Sequence, residues 1–354
     1  MNHHHAPAIP AALCDNAMSS RRITGHFQGI WVPMVTPFRD GEVDYAAAAA
    51  LAAGLAASGI HGLVVCGTTG EAAMLGDDEQ IALLKAVLAA VGPHFPVVMG
   101  VAGSDTRAVA ARVQRLNDQP LAGLLISAPA YVRPSQLGIL RHFQAISAVT
   151  DHSIILYNIP ARTGVNIDPA TVAELSLDTR FVAIKEAGGD MGQVTELLLT
   201  TRLDVLSGDD ALLLATLCLG GHGAMSAAAQ IRPDLYVQLH HLVKSGQVAA
   251  AQELFKSLLP MIRLLFAEPN PGPIKAALAM QGKLSDELRL PMTPMSAAGK
   301  ARLAGALETL LALPQWPPRG ACAGKREAAQ DWLMQVVSCA SVIPAVRCDD
   351  HHRN

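Results

Sequence analysis

The sequence predicts an α/β fold: a (β/α)8 TIM barrel with a C-terminal helical extension. Short, continuously apolar segments alternate with helix-forming segments eight times between Gly29 and Gly246, joined by connections of a few residues. The apolar runs lack polar alternation, which marks strands buried on both faces and therefore a parallel sheet. Eight such units in about 220 residues close most naturally into a barrel. A doubly wound open sheet is the competing architecture, and it expects a GxGxxG turn after the first strand. TPFRDGEVD stands there instead.

In chain order, GIWVPMVTPF (29–38) reads as the first strand, and the Ala-rich 44–59 as a helix closed by a glycine. A strand over 62–67 precedes a helix over 77–92 with acidic residues in its first turn, where they complement the helix dipole. A strand over 96–102 leads to a helix over 104–118, with Ser104 as its expected cap. Strands over 123–129 and 153–159 flank a helix over 134–150. The helix over 168–176 carries proline at its first position, where the missing N–H costs nothing. Strand 181–187, helix 190–201, strand 204–208, helix 209–221, strand 223–227 and helix 233–246 complete the pattern. Beyond Gly246 the alternation stops, and three helices are expected over 248–266, 270–282 and 296–313. The expected organisation is a loose N-terminal extension (1–24), the barrel (25–246), a helical region (247–313) and a loose tail (314–354).

Composition narrows the function. The 354 residues are 51% hydrophobic and 16% charged, with a net charge of −3. That balance allows a large core and offers no basic face, so a nucleic-acid partner is not expected. No apolar run reaches the roughly 18 residues of a membrane span, and the N-terminus lacks the basic-then-apolar pattern of a secretory signal. A cytoplasmic enzyme is the expectation. The six cysteines form no CxxC. Cys66 and Cys218 lie in apolar runs and read as core filler, so neither a disulfide framework nor a metal site is expected. His240 and His241 read as surface histidines.

One stretch stands out: FVAIKEAGGD, 181–190, sets Lys185 at the end of a buried strand. Buried strands rarely carry a lysine without a partner or a reaction. An amine in an apolar pocket has its charged form disfavoured, which suits it to attack carbonyl carbon. The other lysines, Lys275 among them, read as occupying polar helical or loop contexts. The bland alternative for Lys185 is a side chain snorkelling to solvent. In a (β/α)8 barrel the reacting groups gather at the C-terminal ends of the strands. Those ends hold Thr68 and Thr69 between glycines, a hydroxyl and N–H grip suited to a carboxylate, although such a pentapeptide in isolation is more often an ordinary turn. They also hold Tyr131 and Tyr157, two of the four tyrosines in the chain. Each tyrosine alone could be a packed aromatic. Together with Lys185, they suit a Schiff-base aldolase in which the iminium withdraws electrons and a phenol moves the proton.

These residues resemble a known family. GTTGE (67–71), YNIPARTG (157–164), IKEA (184–187), SGDD (207–210), EPNPGPIKAAL (268–278) and LRLPMTP (288–294) are similar to 4-hydroxy-tetrahydrodipicolinate synthases, also called dihydrodipicolinate synthases. That family shares a superfamily with N-acetylneuraminate lyase. The resemblance runs from about Gly25 to Leu313. It implies a homotetramer built as a dimer of tight dimers, or a homodimer, and condensation of pyruvate with aspartate semialdehyde on the route to lysine, with no cofactor. By resemblance, Lys185 is the Schiff-base lysine and Tyr157 the proton-transfer tyrosine. Thr68 links that tyrosine to Tyr131, which reaches into the neighbouring protomer's site. Thr69 holds the pyruvate carboxylate, and Arg162 meets the carboxylate of the aldehyde, a geometry guanidinium suits. Gly208 and Met225 line the pocket.

The sequence departs from the family in two ways. Ala130 replaces a common aromatic. Ala72, Ala73, Asp77, Gln80, Ser104, Ala108 and Ala130 occupy the positions with which lysine-inhibited members bind lysine, and most of the expected polar contacts are missing. Feedback by lysine is therefore expected to be weak or absent. The competing functions are a sister pyruvate-dependent aldolase or lyase acting on another 2-oxo acid or a sugar acid, and a barrel kept only for binding.

Overall fold

The computed structural model describes residues 27–314. Eight parallel strands close into a barrel: β1 (Gly29–Pro33), β2 (Gly62–Val65), β3 (Val97–Val101), β4 (Gly123–Ser127), β5 (Ile154–Asn158), β6 (Phe181–Glu186), β7 (Asp204–Ser207) and β8 (Gly223–Met225), with β1 pairing both β2 and β8. The expected (β/α)8 architecture is what the chain adopts. Alternation along each strand sorts side chains into two sets. Trp31, Val64, Val98, Leu125, Ile155, Ala183, Leu206 and Met225 fill the barrel interior, closed at its base by Phe27. Their neighbours in sequence, such as Val32, Leu63 and Ile184, face the surrounding helices.

The helices follow from their caps and apolar faces. The first, α1 (Tyr45–Ala57), starts where the Asp44 carboxylate accepts from the Ala47 N–H. In α2 (Asp77–Val91), Glu79 reaches back to the Gly76 N–H at 2.8 Å. Asp105, not Ser104, caps α3 (Thr106–Gln114). The Ser104 hydroxyl instead donates to the Ala130 carbonyl at 2.6 Å, which tethers two strand-end loops. The outer ring continues with α4 (Gln136–Ser147), α5 (Pro169–Leu175), α6 (Met191–Thr200), α7 (Leu213–Cys218) and α8 (Pro233–Lys244). Three more helices make the C-terminal region: α9 (Val248–Leu265) packs on α8 and on α11 (Ala297–Ala312), which also contacts α10 (Gly272–Met280).

Several expectations need correction. The first strand ends at Pro33; Phe38–Arg39 and Glu42–Val43 instead form a separate two-stranded antiparallel hairpin. Cys218 is exposed, because it falls on the outward side of the short α7. His240 is half-buried, edge-on to His61 at 5.5 Å between ring centres, and burial pushes its pKa down to about 4. The loose N-terminal extension expected at 1–24, and the loose tail expected at 314–354 apart from its first residue, lie outside the described residues.

Candidate active site

The strand β6 enters the barrel as Phe181-Val182-Ala183-Ile184-Lys185-Glu186. Ala183 faces inward, so Lys185, two residues on, does the same. It pairs in register with Tyr157 of β5, placing the two side chains on adjacent strands and the same face. The Lys185 Nζ lies 4.3 Å from the Tyr157 ring centre. Both are buried, at 6% and 7% exposure. Among the described residues no carboxylate comes within ion-pair distance of this amine.

Gly208, at the end of β7, is pressed against the lysine. A Cβ there would sit 2.9 Å from Lys185 Cγ and 2.8 Å from Ala187 Cβ. Its N–H donates to the Glu186 carbonyl at 2.7 Å, which locks the two strand ends together. Only a residue without a side chain allows that approach. Met225 ends β8 inside the barrel at 1% exposure. Beneath the same rim, Asp210 is buried and accepts from the Ser226 hydroxyl. Burial pushes its carboxyl up to about 6, against the opposing pulls of Ser226 and the Lys185 charge.

The loop after β2 carries Thr68 and Thr69. Thr69 is 4% exposed and its Oγ1 accepts from Asn270 Nδ2 at 3.0 Å. Thr68 is half-buried, and its carbonyl accepts from the Glu71 N–H at 3.1 Å. Arg162 is exposed and lies on the helical turn Pro160–Thr163, just past β5. Tyr131 does not join this group within one chain. Its backbone is left-handed (φ 72°), its N–H donates to the Thr163 carbonyl, and the residue is 92% exposed. The expected chain of Tyr157, Thr68 and Tyr131 is therefore not assembled within a single protomer, because the loop aims Tyr131 away from the barrel.

The barrel hides more charge than the sequence suggested. Glu186 follows Lys185 but faces outward, buried at 4% exposure. It accepts from Asn158 Nδ2 at 3.0 Å, Gln193 Nε2 at 2.9 Å and the Gly188 N–H at 2.6 Å. Burial raises its pKa while these donors oppose the rise. Lys275, read from the sequence as a lysine in polar surroundings, is 0% exposed. It pairs with Glu71 at 2.5 Å, donates to the Glu287 carbonyl at 2.7 Å and lies 4.1 Å over the Phe38 ring. Burial lowers the Lys275 pKa and raises that of Glu71, each opposed by the other's charge. The signal was present: GPIKAALAM surrounds Lys275 with apolar residues as completely as VAIKEA surrounds Lys185.

The profile of the dihydrodipicolinate synthetase family matches residues 26–310. A 4-hydroxy-tetrahydrodipicolinate synthase from Syntrophobacter fumaroxidans is 41% identical over 280 residues, spanning 78% of this chain and 96% of that protein. An enzyme of the same name from Thermodesulfovibrio yellowstonii is 40% identical over 285 residues, 80% of this chain and 98% of its own. Among solved structures, dihydrodipicolinate synthase from Aquifex aeolicus has a TM-score of 0.79 at 33% identity, covering 82% of this chain and 100% of that one. No helix among the described residues is long and apolar enough to cross a membrane. With its closed parallel barrel, its buried strand lysine and these likenesses, the chain belongs to the dihydrodipicolinate synthetase family of lyases.

Proposed function

We propose that the protein is a 4-hydroxy-tetrahydrodipicolinate synthase, condensing pyruvate with L-aspartate 4-semialdehyde through a Schiff base on Lys185, in lysine and diaminopimelate biosynthesis. The observation that carries this reading is the inward-facing amine of Lys185, buried beside Tyr157 and outside every ion pair of the described residues. The free amine adds to the pyruvate ketone, and loss of water leaves an iminium that withdraws electrons from the methyl carbon. A proton leaves that carbon, and the enamine attacks the aldehyde, whose oxygen takes up a proton. The amino group of the second substrate then displaces Lys185 from the iminium carbon, closing the ring and freeing the enzyme. The iminium itself is the electron sink, so the proposed reaction requires no metal or other cofactor.

In this reading Tyr157 moves the protons, a role its register with Lys185 supports. Thr69 and neighbouring N–H groups hold the pyruvate carboxylate, and Arg162 meets the carboxylate of the aldehyde from the rim. Gly208 and Met225 shape the floor. Thr68 and Tyr131 extend the proton path, with Tyr131 supplied to the site of a second copy. The 92% exposure of Tyr131, beside the exposed Val132 and Leu137, supports assembly through this face. The assembly proposed is a homotetramer built as a dimer of tight dimers. Weak or absent inhibition by lysine, and a cytoplasmic setting, complete the proposal.

Borohydride reduction in the presence of pyruvate, followed by peptide mass mapping, tests the covalent step. The expected adduct is on Lys185, and its absence defeats the reading. A coupled assay offering aspartate semialdehyde and, separately, N-acetylmannosamine tests the second substrate. Turnover with the latter alone would assign the protein to the sugar-acid lyases instead.

A further inference from the structure

The motif EPNPGPIKAAL lies outside the barrel, yet its Asn270 touches the strand-two loop inside the site. Asn270 Nδ2 donates to Thr69 Oγ1 at 3.0 Å, across a sequence separation of 201 residues. We propose that Asn270 is a positioning residue for Thr69: it occupies a lone pair of the hydroxyl and so leaves the hydroxyl proton to the carboxylate of the 2-oxo acid. This inference rests on the proposed function and names the group that orients its carboxylate grip.

A hydroxyl has one proton to donate and two lone pairs to accept with. The amide of Asn270 fills one lone pair, and an N–H cannot take the hydroxyl proton in return. Among the described residues Thr69 makes no other side-chain hydrogen bond, so on a residue 4% exposed the proton remains unspent. The loop is also held still. Glu71, two residues after Thr69, pairs with Lys275, five residues after Asn270, and the Thr36 hydroxyl donates to the Gly70 carbonyl at 2.6 Å. One short stretch of the C-terminal region thus grips the loop at two points. A donor fixed before the ligand arrives loses little in reorganisation when it binds charge.

The other end of the amide supports the same reading. Among the described residues Asn270 Oδ1 is buried without a hydrogen-bond partner. An unsatisfied buried carbonyl is destabilising, and a side chain present only to fill space would do better without it. Its N–H group, aimed at Thr69, gives the asparagine a use that packing alone does not.

The test uses full-length wild-type protein, N270A, N270D and T69V, with pyruvate dependence read both by borohydride trapping and by steady-state turnover. Aspartate at 270 keeps the shape but can only accept: it captures the Thr69 proton and sets negative charge beside the incoming carboxylate. The expected result is a rise of about tenfold in half-saturating pyruvate for N270A, the size of a misdirected charge-assisted hydrogen bond. N270D should rise further, while its melting temperature stays nearer to wild type than that of N270A. T69V should match N270A, and adding N270A to T69V should change nothing more. The proposal is overturned if N270D is milder than N270A, if only the turnover number falls, or if the two substitutions add independently. Failure of the wild-type protein to trap pyruvate at all would instead defeat the Schiff-base function itself.

Discussion

Lys185 and Lys275 both end in apolar surroundings, at 6% and 0% exposure, and both lie over an aromatic ring, at 4.3 Å and 4.1 Å. They differ in their counter-charge. Lys275 is met by the Glu71 carboxylate at 2.5 Å and by a backbone carbonyl, so its charge is matched where it lies. Among the described residues Lys185 has no such partner; Asp210, whose carboxyl feels its charge, accepts from Ser226. Burial alone therefore does not decide what a lysine does. An amine paired with a buried carboxylate is committed to that contact and serves as a strut, whereas an unpaired one keeps its nitrogen available to a ligand.

The same substitution at the two sites should have opposite consequences. Lys185→Met is expected to abolish pyruvate trapping and lower turnover by about a thousandfold or more, with the melting temperature unchanged or raised. Marked unfolding of this variant would erase the distinction between the two lysines. Lys275→Met leaves Glu71 buried without a counter-ion, and should cost about 3–5 kcal/mol in denaturant unfolding. The double variant Glu71→Gln/Lys275→Met should recover part of that loss, and a cycle without recovery would mean that the pair is not coupled.

Asp210 sharpens the comparison through pH. Its folded pKa, about 6, is raised from the ordinary 3.8 by burial. A raised value means that the protonated form favours the fold: the contribution is complete below the ordinary value and is lost as pH rises through about 6. Asp210→Asn should therefore be more stable than wild type above pH 6, by roughly 3 kcal/mol on the scale of 1.36 kcal/mol per pKa unit, and equal to it near pH 3. Thermal melts across pH 3–8 measure this, and a constant offset would refute it. The smallest effect is expected from Gly208→Ala, whose methyl group meets Lys185 Cγ at 2.9 Å. It should cost about 1–3 kcal/mol of stability and displace the lysine, lowering trapping rate more than pyruvate affinity.

How much of this was legible follows the range of the interactions. The barrel was readable because eight apolar runs and their caps are local, and burial on both faces of a strand needs no knowledge of the partner strand. Lys185 was readable for the same reason, as a charge inside such a run. The Lys275–Glu71 pair was not, although each residue stood in plain view. An apolar helix flank says that a charge is buried, but not which carboxylate 204 positions away will meet it. Glu186 makes the same point within one strand: period-two alternation sends it outward to Asn158 and Gln193 while Lys185 turns in.

The sequence by itself determined the strand and helix alternation, the closed parallel sheet, and the inward lysine with a tyrosine on the neighbouring strand. Those depend on periodicity and on residue chemistry, which short segments carry in full. The tertiary structure alone decided which buried charges are neutralised, that the C-terminal region reaches Thr69 through Asn270, and that Tyr131 points away from its own barrel. Each of those is a contact or a direction in space between segments far apart in the chain, and the strength of an electrostatic interaction depends on distances that no local pattern contains.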